Sequence, residues 1–473
     1  MNRREFLNAV VGSVAVTAAT TATGEVREGE QKQKLISPGC RRSKVKVAKL
    51  YLGVPKAHWP TPLLDLNLEM QRYEAEFERM KAGELSDVEF TITELITSVE
   101  RAKQVAEQLK DVDGVLIVHL SMGIGGMLNA ILQAKRPTML FAAPYSGHEW
   151  AGFGGLRNRP EGALFDCILS SDMSQLAVAI RPFRAIHHLR EAKILDISRR
   201  DRSAFAAEVK ERFGTEIKVI DRDRVIKLYE SVPEADAVAE AERWIKKAEK
   251  VVEPTREEII NSCRLALALE KLLDEEDATV IAVDCYGTMW RQLPAYPCLS
   301  HCRMNNMGFG GICESDLQSA LTHIIFQGLC GRPGFISDPT VDESKNSIIL
   351  AHCMGTTKMD GPKGEEAPFK LRSVMERQEG VAVQPRMRIG QKVTQAILLG
   401  TKTMRYFTGT IIDTPDLDRG CRTKITVQVD GSVTRLWQNW AGGLHRVTVY
   451  GDIVTDLKRF CRFMNIELID ELS

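Results

Sequence analysis

The sequence predicts an α/β protein with two parallel-sheet α/β domains followed by a β-rich, barrel-like C-terminal domain. Three observations lead there. From Lys44 to about Asp172, short apolar runs alternate with amphipathic helical stretches, the pattern of βαβ units. The alternation continues from Met173 to Leu329. From Cys330 onward, β-type runs follow one another with little helix between them, as in an antiparallel barrel or sandwich. A chain of 473 residues is too long for one core. The expected division is a leader at 1–24, a linker at 25–43, and domains at 44–172, 173–329 and 330–473.

Residues 1–24 read as a twin-arginine signal peptide. Arg3-Arg4-Glu5-Phe6-Leu7 precedes an apolar run, Ala9 to Val16, that is too short to span a bilayer. The expectation is export by the twin-arginine machinery to a periplasmic or other extracytoplasmic location. Residues 25–43 are polar and read as a flexible linker. Beyond them no apolar run reaches spanning length, so the mature chain is expected to carry no stable membrane span. In the first domain, strands are expected at 45–52, 88–92, 114–120 and 138–143, with a charged helix at 66–82 and another ending near 109. In the middle domain, strands are expected at 192–197, 216–220 and 279–283, with helices at 235–250 and 256–273 whose charged faces meet solvent. In the last domain, strands are expected at 347–351, 381–387, 392–399, 404–412 and 423–429, then a helix at 453–464 and a strand at 466–469.

Charge balances, with 63 Lys and Arg against 63 Asp and Glu. Nothing in that balance calls for nucleic acid or an anionic membrane as partner, and a small neutral substrate fits better. Six of the eleven cysteines fall between Cys285 and Cys353. The twin-arginine route carries proteins folded in a reducing compartment, so buried free thiols are expected rather than disulfides. Cys298, His301 and Cys302 lack the second ligand pair that a zinc site of this spacing needs.

The residues that can carry chemistry lie at strand ends. The glycine-rich strand 308–313 delivers Glu314 to its carboxyl end, where parallel sheets bind ligands. Ser315 or Asp316 then caps the following helix. Asp338 ends an apolar run before Pro339, at the change of domain, and His445 stands between Gly442-Gly443 and a strand. Two acids and one imidazole make an O,O,N set suited to manganese or magnesium, with iron, cobalt or nickel as alternatives. Loops after the first-domain strands, at 55–60, 121–126 and 144–150, carry aromatic and histidine side chains able to stack on a sugar. Trp59, Trp440 and His352 are the candidate substrate contacts. Gly123-x-Gly125-Gly126 lacks the spacing of a dinucleotide fingerprint, so no nicotinamide site is expected.

Several of these segments together resemble the L-fucose isomerase/L-arabinose isomerase superfamily. They are Cys313-Glu314-Ser315-Asp316-Leu317-Gln318-Ser319-Ala320-Leu321-Thr322, Gly331-Arg332-Pro333-Gly334-Phe335-Ile336-Ser337-Asp338, Ile349-Leu350-Ala351-His352-Cys353, and His445 followed by Tyr450-Gly451-Asp452 and a helix. The resemblance is closest over 279–355 and 437–473, and the 24 residues between Glu314 and Asp338 match the fucose branch. It implies a metal-dependent aldose–ketose isomerase with a divalent ion, manganese first, held by Glu314, Asp338 and His445. Glu314 and Asp338 would also transfer the proton across an enediolate. The resemblance further implies a homo-oligomer whose sites draw on a neighbouring subunit's first domain. The arabinose branch uses two histidines, a place that His352 would fill, whereas the match at Asp338 favours the fucose-type set. The competing expectations are an exported sugar-binding or sensing protein without turnover, and the same metal chemistry directed to epimerisation or dehydration.

Overall fold

The computed structural model describes residues 37–473, all within one compact unit, Leu35–Ser473. The twin-arginine segment and the linker as far as residue 36 lie outside the described residues. Residues 37–43, read from their polarity as the end of a linker, are packed instead. Cys40 is buried, Arg41 pairs with Asp274, and Arg42 pairs with Asp277. Gly39 sits against the His188 imidazole so closely that a Cβ would come within 2.2 Å of it. The arginines that looked like solvated linker residues are ion-paired to the main body.

The first sheet contains β1 (Val45–Leu52), β2 (Val88–Ile96), β3 (Gly114–His119), β4 (Thr138–Ala142) and β5 (Phe165–Leu169), all parallel, in the order β2-β1-β3-β4-β5. The burial of β3 and β4 along their whole length matches their unbroken apolar runs, as expected for strands covered on both faces. β5 was not expected from the sequence. Asp166 and Cys167 interrupt its pattern, and Arg157 pairs with the buried Asp166.

The middle segment supplies β6 (Lys193–Ile197), β7 (Glu216–Val219), a two-residue strand β8 (Lys250–Val251), β9 (Val280–Val283) and β10 (Gly310–Cys313). Four of these form a parallel sheet in the order β10-β9-β6-β7, while β8 pairs with the β-rich part. The helix Leu317–Cys330 leaves the carboxyl end of β10. It is apolar nearly all round, from Leu317 through Ala320, Leu321, Ile324 and Ile325 to Leu329, and a helix of that kind is buried on every side. Its core partners come from β6, β9 and β10 and from barrel residues such as Ala396, Leu398, Val447 and Val449. At Gly328 it crosses the helix Arg181–Glu191 with no room for a side chain, because a Cβ would lie 2.4 Å from Ala185 Cα.

The last part contains β11 (Phe335–Asp342), β12 (Ser347–His352), β13 (Phe369–Val374), β14 (Glu379–Pro385), β15 (Lys392–Leu399), β16 (Thr403–Asp413), β17 (Thr423–Val429), β18 (Arg446–Tyr450) and β19 (Glu467–Asp470). The order β15-β18-β11-β12-β17-β16, closed by pairing of β16 with β15, makes an antiparallel barrel, with β19 added in parallel outside β16. The predicted fold class is therefore borne out. β13 and β14 form a separate hairpin with β8. One expectation is corrected here: Asp338 does not end its strand. β11 runs through Pro339 to Asp342 because β18 pairs only with Phe335–Ser337, so Pro339 has no partner on that side to donate to. No helix among the described residues is long and apolar enough to cross a membrane.

Gly328→Ala should destabilise the protein by about 1–3 kcal/mol, the usual cost of overpacking a tight core. Urea denaturation measures this, and an unchanged midpoint would show that the two helices can move apart freely.

Candidate functional site

β10 and β9 run side by side, and the chain turns sharply beyond them. Glu314 has φ 58° and Ser315 has φ 48°, two successive non-glycine residues in the left-handed region. Such conformations are uncommon and persist only where neighbours enforce them. The Ser315 N–H donates to Val283 O at 3.0 Å, and its hydroxyl donates to the buried Asp196 carboxylate at 2.5 Å. Burial raises the Asp196 carboxyl above its ordinary range, partly offset by that hydrogen bond. Held in this way, the turn projects the Glu314 side chain away from the sheet.

Asp316 is the N-cap of Leu317–Cys330 and accepts from the N–H groups of Gln318 at 3.0 Å and Ser319 at 3.1 Å. The Ser319 hydroxyl donates to it as well, at 2.7 Å. Its second oxygen lies 3.0 Å from His445 Nδ1. Burial works to raise the Asp316 carboxyl, but the hydrogen bonds and the charge of His445 hold it below the usual range. With Nδ1 occupied, His445 presents Nε2 to the remaining groups. That atom is 3.2 Å from Asp338 Oδ1 and 3.8 Å from Glu314 Oε2.

His352, at the end of β12, reaches the same place. Its Nε2 is 3.7 Å from Glu314 Oε1, and its ring meets that of His445 at 5.4 Å between centroids, nearly edge to face. Both His352 nitrogens are buried without a hydrogen-bond partner among the described residues, and Asp338 Oδ1 meets only His445 Nε2. Unpartnered polar atoms at such depth are costly unless something else satisfies them. Ligand atoms of Glu314, His352 and His445 all lie within 4.8 Å of one another, so this set fits a divalent cation on an O,N,N basis with Asp338 adjoining through His445.

The structure thus brings together Glu314, Asp338, His445 and His352, on β10, β11, the loop before β18 and β12. The other two sequence candidates stand elsewhere. Trp440 packs over the buried Arg446 guanidinium at 4.0 Å and donates to Gly443 O at 2.9 Å, bracing the His445 loop. Trp59 stacks on His148 at 4.5 Å among the loops beyond the first sheet. A cavity of about 520 Å³ opens there, lined by Pro60, His119, Tyr145 and Ser146. Within it His119 Nδ1 is 2.8 Å from Ser146 Oγ, and Nε2 is 3.3 Å from Glu149 Oε2.

Sequence reasoning did not anticipate the Asp316–His445 bond or the Arg446–Glu471 pair below it. Arg446 and Glu471 are both fully buried, 3.1 Å apart, and Arg405 joins them at 3.0 Å. The capping role expected of Asp316 was the available signal for the first. Nothing local marks the second. The grouping Cys298, His301 and Cys302 is not among the metal-competent sets of the described residues. His301 Nδ1 turns to Cys313 Sγ at 3.3 Å, while Cys302 faces Asn306. A further set, Cys40, Asp87 and His188, already has Arg184 bonded to Asp87, and burial pushes the Cys40 thiol up to about 12.

No family model matches the chain. It is similar to the sulfoquinovose isomerase of Alkalicoccus urumqiensis, 22% identical over 284 residues, and to that of Clostridium sp. (strain MSTE9), 23% identical over 283 residues. Each match covers 56% of this chain and 60% of the relative, so the chain spans less than two thirds of the length of the curated relatives it matches. Both names are those of sugar isomerases, and the resemblance to that superfamily read from the sequence is borne out.

Burial disfavours a charged His445, but its bonds to Asp316 and Asp338 outweigh burial and raise its pKa from 6.5 to about 10. In the metal-free protein the cation therefore contributes stability that is complete below pH 6.5 and is lost as pH rises through about 10. The denaturation midpoint of metal-free wild type should fall toward that of His445→Gln over this range. Parallel curves for the two proteins would contradict the assignment.

Proposed function

We propose that the chain is an aldose–ketose isomerase in which Glu314 and Asp338 move the proton and Glu314, Asp338, His352 and His445 hold a divalent metal. The observation that carries this reading is the meeting of these four side chains, from four separate strands or strand ends, with both His352 nitrogens left unpartnered among the described residues. Isomerisation takes a proton from C2 and returns one to C1 while the carbonyl moves in the opposite direction. It therefore needs a base, an acid, and positive charge beside two adjacent oxygens. A divalent cation, manganese first, would supply that charge as a Lewis acid. Burial raises the Glu314 carboxyl despite the pull of His352 and His445, which brings it nearer the working pH as a base. Asp338, across His445 Nε2, is the partner acid. Asp316 is a positioning residue that fixes the His445 ring. A sugar-binding protein without turnover has no use for two carboxylates and two imidazoles gathered at one point, so the enzyme is the stronger reading.

The names of the two relatives make a sulfonated aldose the first substrate to test, ahead of the neutral pentose or 6-deoxyhexose expected from charge balance. The Arg377 guanidinium lies 4.1 Å from the Trp290 ring and 4.8 Å from the Tyr286 ring, with its buried Nε unpartnered among the described residues. Tyr286 in turn reaches Cys353, next to His352. Arg377 is thus a cation available to an anionic substituent. The same reading includes a homo-oligomer in which a neighbouring copy's Trp59 loop completes the site, and export directed by Arg3-Arg4.

Glu314→Gln and Asp338→Asn should each lower kcat by at least about 10²-fold, the usual scale of acid–base catalysis, with circular dichroism unchanged. His445→Ala should first weaken metal binding and be partly rescued by excess manganese. The assay is ketose formation from a sulfonated aldose and a panel of neutral aldoses. Near wild-type turnover in either carboxylate variant removes that residue from the mechanism, and metal-loaded protein that forms no ketose at all favours the binding protein.

A further inference from the structure

Beside the site described above lies a group of thiols that the proposed chemistry does not use. Cys353 follows His352 at the end of β12, and alternation along a strand directs successive side chains to opposite sides. Its thiol, that of Cys421 and the carboxylate of Glu376 offer ligand atoms all within 4.8 Å of one another. Cys353 and Cys421 are buried, whereas Glu376, in the turn between β13 and β14, is exposed and gives an ion a way in. Cys421 donates to Glu376 Oε1 at 3.1 Å, Tyr286 donates to the other oxygen, and the Cys353 thiol reaches Tyr286 at 3.8 Å. Cys298, on the first residue of the helix Cys298–Met307, is buried in the same core cluster as Cys353 and Cys421.

We propose that Cys353, Cys421 and Glu376 form a second, thiolate-rich site for a zinc-type divalent ion. Thiolates select soft metals, and three protein ligands leave the fourth tetrahedral position to water. With Zn–S bonds of about 2.3 Å, tetrahedral ligands stand about 3.8 Å apart, so the group closes onto the ion by movements of about an ångström. Each coordinated thiol gives up one proton, and the hydrogen bonds of Cys421 and Tyr286 to Glu376 give way to coordination. The ion ties the end of β12 to the β13–β14 turn and to the chain entering β17. It thereby fixes the strand end that carries His352.

The experiment strips the full chain with a chelator, in the presence of a non-thiol reductant, and reloads it with cobalt(II). Two cobalt ions per chain should bind, one of them with near-ultraviolet thiolate-to-cobalt charge-transfer absorption. That absorption should vanish in Cys353→Ser with Cys421→Ser and persist in Glu314→Gln with His445→Ala. X-ray absorption at the zinc edge of zinc-loaded wild type needs no variant to fold and should show sulfur scatterers at about 2.3 Å. Cobalt bound without thiolate absorption, zinc surrounded only by oxygen and nitrogen, or a Cys353–Cys421 disulfide that survives the reductant would each overturn the site.

Discussion

The carboxylate of Asp316 joins the two parts from which the site is built. One oxygen closes the first turn of the helix Leu317–Cys330, and the other holds His445, which arrives on the barrel 129 residues later. A capping carboxylate at a helix N-terminus is already favoured by the exposed N–H groups and the helix dipole. That preference locates the acid without reference to function, and the histidine then takes its orientation from an atom that stability has already fixed. Because the helix is buried against both the parallel sheet and the barrel, any shift of one relative to the other is felt at this bond.

A similar economy governs Glu314. Its left-handed backbone and that of Ser315 cost on the order of 1–3 kcal/mol each. The offset comes from below, through Ser315 bonded to Val283 O and to a buried Asp196. An ordinary turn would let the Glu314 side chain lie back on the sheet edge. The enforced turn instead aims it at groups contributed by β11, β12 and the loop before β18.

What the sequence made legible follows from range. Glu314 after a glycine-rich strand, Asp316 as cap, and the strands at 392–399 and 423–429 are written in local pattern, and they stand where local pattern puts them. β5 escaped because Asp166 and Cys167 break its apolar run, and the length of β11 escaped because Pro339 reads as a stop unless the missing neighbour is known. Residues 37–43 looked like linker because ion-paired arginines and solvated ones are identical in composition. The site was readable residue by residue, yet its joining bonds were not. The pairs Asp316–His445, Asp196–Ser315 and Arg446–Glu471 each connect residues whose proximity only the closed fold creates. Trp59 was selected as an aromatic side chain in a loop after a first-domain strand, and it stands among those loops.

The chain as a whole is electrically neutral, but neutrality is not maintained at the site. Glu314, Asp316 and Asp338 surround one imidazole, and the next residue, Arg446, which donates to the His445 backbone carbonyl, has its charge already answered by Glu471. Three carboxylates therefore share whatever positive charge occupies the space between them. Without a metal, a single proton on His445 meets part of that demand, which is why the ring is held cationic against burial. A divalent ion, in the proposed reading, would answer the demand more fully and would do so at Nε2, the atom Asp316 leaves facing inward. Proton and metal would then compete for one nitrogen, and the carboxylates that favour either are the ones that define the space in front of it. The carboxylates that hold a proton on His445 are the same groups that would receive a cation.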